Sequence, residues 1–366
     1  MASDLNKDRE EKEPMLSLSL TTKNQQVNKE SSPKSTAITQ HEEGMFKCRR
    51  LLDHYYWYAG ADYLFWKVSQ SHLDYVIPNA PLPSSIPTNH FAGDTAQIGS
   101  IKEVNYNWNS GFRLNVGSIF PPDFWNIEAQ YTYFHTHGSS RAFPETNSIL
   151  YGTLNEYTFV SPASASASAQ FNYNVGDLFL AKRIGLSKQI LCDLHMGATI
   201  AWLNHHFRTT YYPVEGATRY NGILHRRWNF KGGGIKTGFS TDWYLGNGLS
   251  IFSTFNISAL YGSLQNYFKQ ISVSYSSTDP IYPVQGNRLH DHRVVCSLQF
   301  LAGPSFGWRF SDWGFNLSAG YELNLWYNVH ETLFSEIAVS TSSRVSRYEI
   351  GTLGLQGLTV HIDGYF

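Results

Sequence analysis

GFRLNVGSIFPPDFWNIEAQYTY, residues 111–133, reads as two strands folded back on each other. Phe112, Leu114 and Val116 alternate with Gly111, Arg113, Asn115 and Gly117, so a strand must set the first group on one face and the second on the other. Pro121, Pro122 and Asp123 make a turn, since proline cannot donate to a ladder and aspartate favours chain reversal. Beyond it the pattern repeats, with Trp125, Ile127, Ala129, Tyr131 and Tyr133 opposite Asn126, Glu128, Gln130 and Thr132. Two strands with one apolar and one polar face each suit lipid outside and water inside.

The same alternation runs through the rest of the chain. At 190–203, Cys192, Leu194, Met196, Ala198, Ile200 and Trp202 alternate with Asp193, His195, Gly197 and Thr199. At 313–327, Trp313, Phe315, Leu317, Ala319, Tyr321, Leu323 and Leu325 face away from Asn316, Ser318, Gly320, Glu322 and Asn324. The final segment sets Leu358, Val360, Ile362 and Phe366 against Thr359, His361 and Asp363. With 57–68, 167–183, 235–245, 249–261 and 294–308, the last blunted by Pro304, the pattern predicts about ten strands.

Connection lengths predict the orientation. The long ones, 69–103, 137–166, 204–228, 263–292 and 328–351, alternate with the short ones near 119–123, 184–189, 246–248 and 309–312. The expected fold is therefore an all-β antiparallel transmembrane β-barrel with short periplasmic turns and long extracellular loops, both termini periplasmic. A soluble sandwich or propeller would have to bury every one of these apolar faces, more surface than such an interior uses.

Composition fits that reading. Among 366 residues there are Tyr 23, Phe 23 and Trp 10, and only 16% are charged. A mean hydropathy of -0.31 excludes a helical membrane protein, which needs about 20 consecutive apolar residues per span. A net charge of -1 supplies no basic face for nucleic acid. Cys48, Cys192 and Cys296 have no metal-type spacing and read as small hydrophobes.

Residues 1–45 contain no aromatic residue, are rich in Lys, Glu, Ser, Thr and Gln, and are expected to form a disordered tail before a barrel over 46–366. The opening MASDLNKDREEKEP carries charge where a signal peptide needs an apolar core, so a leader is expected upstream or replaced by this segment.

The segments ADYLFWKV (61–68), GFRLNVGSIFPPDFWNIEAQYTYF (111–134), GIKTGFSTDWYLGNGLSIFSTFNISALYG (234–262), GYELNLWYN (320–328) and LGLQGLTVHIDGYF (353–366) carry a family resemblance. Over roughly 57–366 the chain resembles the Legionella major outer membrane protein family, with members in chlamydia-related bacteria. The resemblance implies a pore-forming protein of the bacterial outer membrane.

In such a barrel the lumen-facing charges set passage. The expected pore-lining residues are Arg113, Glu128, Asp193, His195, Lys236, Asp242, Glu322 and Asp363, which could also form a charge network that plugs a small barrel. Trp125, Tyr131, Tyr133, Trp202, Trp243 and Trp313 are expected in aromatic girdles at the membrane boundaries. Leu358, Val360, Ile362 and the terminal Phe366 resemble the closing-strand signal read by the outer-membrane assembly machinery.

The expected function is passive diffusion of small hydrophilic solutes or ions, with lipid, the assembly machinery and solutes as partners. Neither cofactor nor metal is expected, and the oligomeric state is open. An adhesin using the long loops is compatible with this. A rim hydrolase would need His205, His206, Asp291 and His292 to converge, and the chain has no G-x-S-x-G, H-E-x-x-H or P-loop motif. His135, His137, His205, His206, His225, His290, His292 and His330 crowd the segments assigned to the outer rim, where scattered polar loop residues or a cation site are the two readings.

Overall fold

The computed structural model describes residues 56–80, 100–120, 125–146, 148–153, 162–212, 220–274, 282–310, 313–337 and 344–366. The expected tail, Cys48 and the expected barrel start at residue 46 lie outside them. Ten strands form the wall: β1 (Tyr56–Gln70), β4 (Asn109–Phe120), β5 (Trp125–Ala142), β7 (Ser164–Gly185), β8 (Ile190–Tyr212), β9 (Tyr220–Gly246), β10 (Leu249–Ser274), β11 (Tyr282–Arg309), β12 (Gly314–Ile337) and β13 (Arg344–Tyr365). They close in the order β1-β13-β12-β11-β10-β9-β8-β7-β5-β4, every neighbour antiparallel. Three short strands, β2 (Asp74–Ala80), β3 (Lys102–Glu103) and β6 (Ile149–Gly152), form a separate sheet in the order β3-β2-β6.

Local chemistry fixes the joints. Between β9 and β10, Asn247 (φ 53°) and Gly248 (φ 81°) form a two-residue turn with both φ positive, which matches the twist of a hairpin and favours Asn-Gly. Between β11 and β12, Phe310 donates its N–H to the Trp313 carbonyl at 2.8 Å and the two rings stack at 4.1 Å. Pro304 does not end β11. Its ladder to β10 continues, while the ladder to β12 is interrupted between Ala302 and Ser305 and resumes in the same register. In β12 the register shifts between Tyr327 and His330, with Asn328 at φ 63°, a bulge after which Val329 points inward as Trp326 did.

Most wall strands run well past their expected ends on the loop side: β5 to Ala142, β8 to Tyr212, β9 from Tyr220, β10 to Ser274, β11 from Tyr282, β12 to Ile337 and β13 from Arg344. The expected loop segments 204–228, 263–292 and 328–351 are thus mostly strand, which corrects the reading of them as long loops. The alternation does not stop there but inverts. In β8 the outward residues are apolar up to Trp202 and then become Asn204, His206 and Arg208, while the inward ones change from Asp193, His195 and Thr199 to Leu203, Phe207 and Tyr211. In β9 the outward Ile235, Phe239 and Trp243 give way to His225, Arg227, Asn229 and Lys231, and the inward Lys236 and Asp242 to Leu224, Trp228 and Phe230. An apolar outer face against lipid tails and a polar one against headgroups and water is what a wall rising beyond the hydrocarbon core requires.

Candidate functional site: the barrel lumen

All eight residues expected to line the lumen sit on the inward face of their strands. Arg113 and Glu322, from β4 and β12, meet across the two intervening strands. Arg113 Nη2 donates to Glu322 Oε1 at 2.7 Å, and Nη1 to Glu322 Oε2 at 3.2 Å and Asp62 Oδ2 at 2.8 Å. Its Nε donates to Thr132 Oγ1 at 3.1 Å, and its guanidinium lies 5.6 Å from the centre of the Trp66 ring. Glu322, 1% exposed, also accepts from Gln299 Nε2 at 2.6 Å and Thr359 Oγ1 at 2.8 Å. The cation is fully forked and the anion takes four donors, the condition under which a buried pair is tolerated.

The network extends on both sides of this pair. His361 bridges Asp62 and Asp363, and Asn115 Nδ2 donates to Asp363 Oδ1 at 3.1 Å. Glu128 accepts from the Tyr58 hydroxyl at 2.8 Å. Gln299 Oε1 accepts from Asn256 Nδ2 at 3.1 Å, and Asn256 Oδ1 meets His195 Nε2. Lys236 donates to Asp177 Oδ2 at 2.8 Å, and Arg183 makes a fork to Asp193 at 2.8 and 2.7 Å. Asp242 faces the lumen without contacting the Arg113 group in the hydrogen bonds described. The sequence reading omitted Asp62, Asp177, Arg183 and His361. His361 is in phase with Asp363 on β13, where parity was the available signal; Asp62 on β1 and Asp177 and Arg183 on β7 lie on strands from which no lumen residue was chosen.

Above the network the lumen is apolar. Trp66 lies 5.6 Å from Phe134 and 6.3 Å from Tyr173, Tyr173 lies 5.9 Å from Trp326, and Phe171 lies 6.0 Å from Trp228, a chain of rings drawn from five strands. Trp66 Nε1 donates down to Thr359 Oγ1 at 3.2 Å, which ties this layer to the network below. The small sheet joins the same core. Tyr75 and Val76 are buried, Tyr211 of the wall donates to the Tyr75 carbonyl at 2.6 Å, and the Tyr75 hydroxyl donates to Ser140 Oγ at 2.9 Å. Tyr106 donates to Gln70 Oε1 at 3.4 Å, and burial pushes its phenol pKa up, which keeps it a neutral donor.

On the outer face, Trp125, Trp243 and Trp313 stand exposed at the short-turn end. Tyr131, Tyr133 and Trp202 lie toward the level where the outer face turns polar, and the Tyr131 hydroxyl donates to Asn174 Oδ1 at 2.8 Å. Leu358, Val360 and Ile362 lie outward on β13, and Phe366 exchanges both backbone hydrogen bonds with Trp57, at 3.0 and 3.1 Å.

The other candidate groups do not assemble. His205 is buried inward, stacked on Trp228 at 5.4 Å, while His206 faces out from the same strand. Asp291 and His292 likewise take opposite faces of β11, which β9 and β10 separate from β8. Among the described residues no three His, Cys, Asp or Glu side chains are grouped to hold a metal ion. Cys192, which is buried, and Cys296, which is exposed, are free thiols.

A closed antiparallel barrel with an apolar outer band and a polar lumen defines a β-barrel protein of the bacterial outer membrane. The family model described as Legionella pneumophila major outer membrane protein precursor matches residues 53–364, and the chain belongs to that family. A search of curated proteins finds no match. Solved structures align with the chain at low similarity. The outer membrane protease OmpT from Escherichia coli aligns at 8% identity and a TM-score of 0.34, covering 85% of this chain and 96% of that one. The P. putida toluene transporter TodX gives 9% and 0.29 over 86% and 90%, and a Pseudomonas aeruginosa FadL homologue 7% and 0.26 over 86% and 90%.

Proposed function

We propose that this protein is a narrow outer-membrane pore for small hydrophilic solutes or ions whose resting state is closed. The observation that carries the reading is the hydrogen-bonded charge network, built around Arg113 and Glu322, that occupies the polar lower tier of the lumen. A buried ion pair stabilises little beyond what apolar side chains of the same volume would supply, whereas charged and hydrogen-bonding walls are what a solute crossing a barrel needs. Closure above the network rests in part on β2, which is attached through connections and not through the wall ladder. In this reading Arg113, Glu128, Asp193, His195, Lys236, Asp242, Glu322 and Asp363 line the conduit and no residue is catalytic. Trp125, Trp243 and Trp313 form the periplasmic girdle, and Tyr131, Tyr133 and Trp202 the outer one.

The test is single-channel conductance of the intact chain in a planar bilayer, with a heat-modifiable gel shift to show that each variant has closed. The wild type should give rare, small steps, and Arg113→Ala and Glu322→Gln should lengthen the open time. Folded barrels that stay silent in all three would sink the pore.

A second reading is favoured by the inverted upper wall: a non-conducting barrel whose tall, water-facing sleeve presents a contact surface outside the cell. Silent barrels together with binding of the intact chain to a host or neighbouring cell surface would support it.

A further inference from the structure

The outward face of β8 to β11 above the apolar band carries a cationic patch. Ladder register sets Arg208 opposite His225 and His225 opposite Lys269. One step nearer the membrane, His206 stands opposite Arg227, Arg227 opposite Tyr267, and Tyr267 opposite Arg288. The next two rows are Asn204, Asn229, Gln265 and His290, then Trp202, Lys231, Ser263 and His292. No carboxylate occurs in these four rows. Among the described residues the polar partners here are neutral: Arg227 Nε donates to Asn229 Oδ1 at 3.3 Å, and His290 meets Ser263 Oγ at 2.7 Å. Asp291, the nearest acid in sequence, faces the other way and takes Arg293 at 2.6 Å.

Arg208, Arg227, Lys231, Lys269 and Arg288 share this face with no carboxylate among them, so their mutual repulsion makes it costly unless an anion covers it. Its height selects the anion. The patch begins beside Trp202 and just above the lipid-facing Tyr261 and Val294, and it rises six residues to Arg208, about 20 Å along the strand and about 15 Å along the barrel axis at the usual tilt. That is the headgroup level of the outer leaflet, where the patch looks sideways toward the lipid headgroups. The ring of Tyr267, 5.8 Å below the Arg288 guanidinium, and the Tyr261 ring stacked on His292 at 6.1 Å add flat apolar surfaces of the kind on which sugar rings rest.

We infer that the outer wall of β8 to β11 is a binding site for an outer-leaflet glycolipid bearing phosphates on its sugar headgroup. The arginines fork the phosphate oxygens, as guanidinium groups do at planar bidentate sites. Lys231 and Lys269 supply point charges on either side of them.

Native mass spectrometry of the intact chain in neutral detergent, titrated with a bisphosphorylated diglucosamine lipid, tests this. The expected result is one lipid retained per barrel, bound at least about tenfold more tightly than its dephosphorylated form. The triple variant Arg208→Gln, Arg227→Gln, Arg288→Gln should lose that preference. Single Arg288→Gln should weaken it, and Lys182→Gln, on the outward face near the short turns, should leave it unchanged. Equal binding of the dephosphorylated lipid, or full retention by a triple variant that still shows the gel shift, would overturn the site. Equal binding of phosphatidylglycerol would reduce the patch to general attraction for anionic lipid and also overturn it. Displacement of the lipid by low millimolar inorganic phosphate would assign the arginines to a soluble anion instead.

Discussion

Arg113 of β4 and Glu322 of β12, 209 positions apart in the chain, are joined by two hydrogen bonds across the barrel lumen. Their pairing places a fixed charge cluster at the level where the inner wall changes from polar to apolar.

Removing one partner should therefore cost far more than removing both. Glu322→Leu strands the Arg113 guanidinium beside Asp62 alone and should destabilise the barrel by about 3–5 kcal/mol. Arg113→Met with Glu322→Leu should recover much of that loss. Urea unfolding of the four proteins, read by the gel shift, gives the cycle, and additive losses would show that the two side chains are not coupled.

The β9 to β10 turn should be sensitive to any side chain at Gly248. A Cβ there would lie 2.5 Å from the Gly307 carbonyl oxygen in a conformation with φ near 81°. Gly248→Ala is expected to lower the urea midpoint by more than Asn247→Gly, because a left-handed conformation costs an ordinary residue about 1–2 kcal/mol before the clash is counted.

Three substitutions along β9 should separate the two tiers of the wall. Ile235→Arg puts a charge on the lipid face and should cost about 2–4 kcal/mol if it lies near the bilayer midplane. Asn229→Arg, six residues toward the outer end on the same face, adds a cation beside Arg227 and should cost no more than about 1 kcal/mol. Phe230→Ala, inward and fully buried, should cost about 3–5 kcal/mol by opening a cavity in the apolar layer. Unfolding free energies in lipid vesicles check all three, and equal costs for the two arginine variants would contradict a polar outer tier.

Phe366→Ala is expected to slow barrel assembly in cells more than it weakens the folded protein. The backbone bonds between Phe366 and Trp57 do not depend on the ring, which is 67% exposed. Pulse-chase of the heat-modifiable form against the urea midpoint distinguishes the two. A midpoint that falls in step with assembly yield would assign the residue to stability alone.

Much of the fold was legible because a strand has a side-chain period of two. The ten segments, their pairing through short turns, and the inward placement of Arg113, Glu128, Lys236 and Glu322 all follow from parity. The same rule misled at 204–228. Apolar Leu203, Phe207 and Tyr211 change face relative to Leu194 and Trp202, and a reading that seeks one continuous apolar face ends the strand there.

The sequence by itself therefore determined the class of fold, the number of wall strands and the polar face of each lipid-spanning segment, since these depend on alternation along each strand. Tertiary structure alone decided which lumen charges meet, because Arg113 and Glu322 become neighbours only when β1 and β13 close the ring between them. It also decided that the upper lumen is packed with rings and that the cations of β8 to β11 share one face. Those facts depend on register between strands distant in sequence, where a shift of one residue would send every side chain to the opposite side.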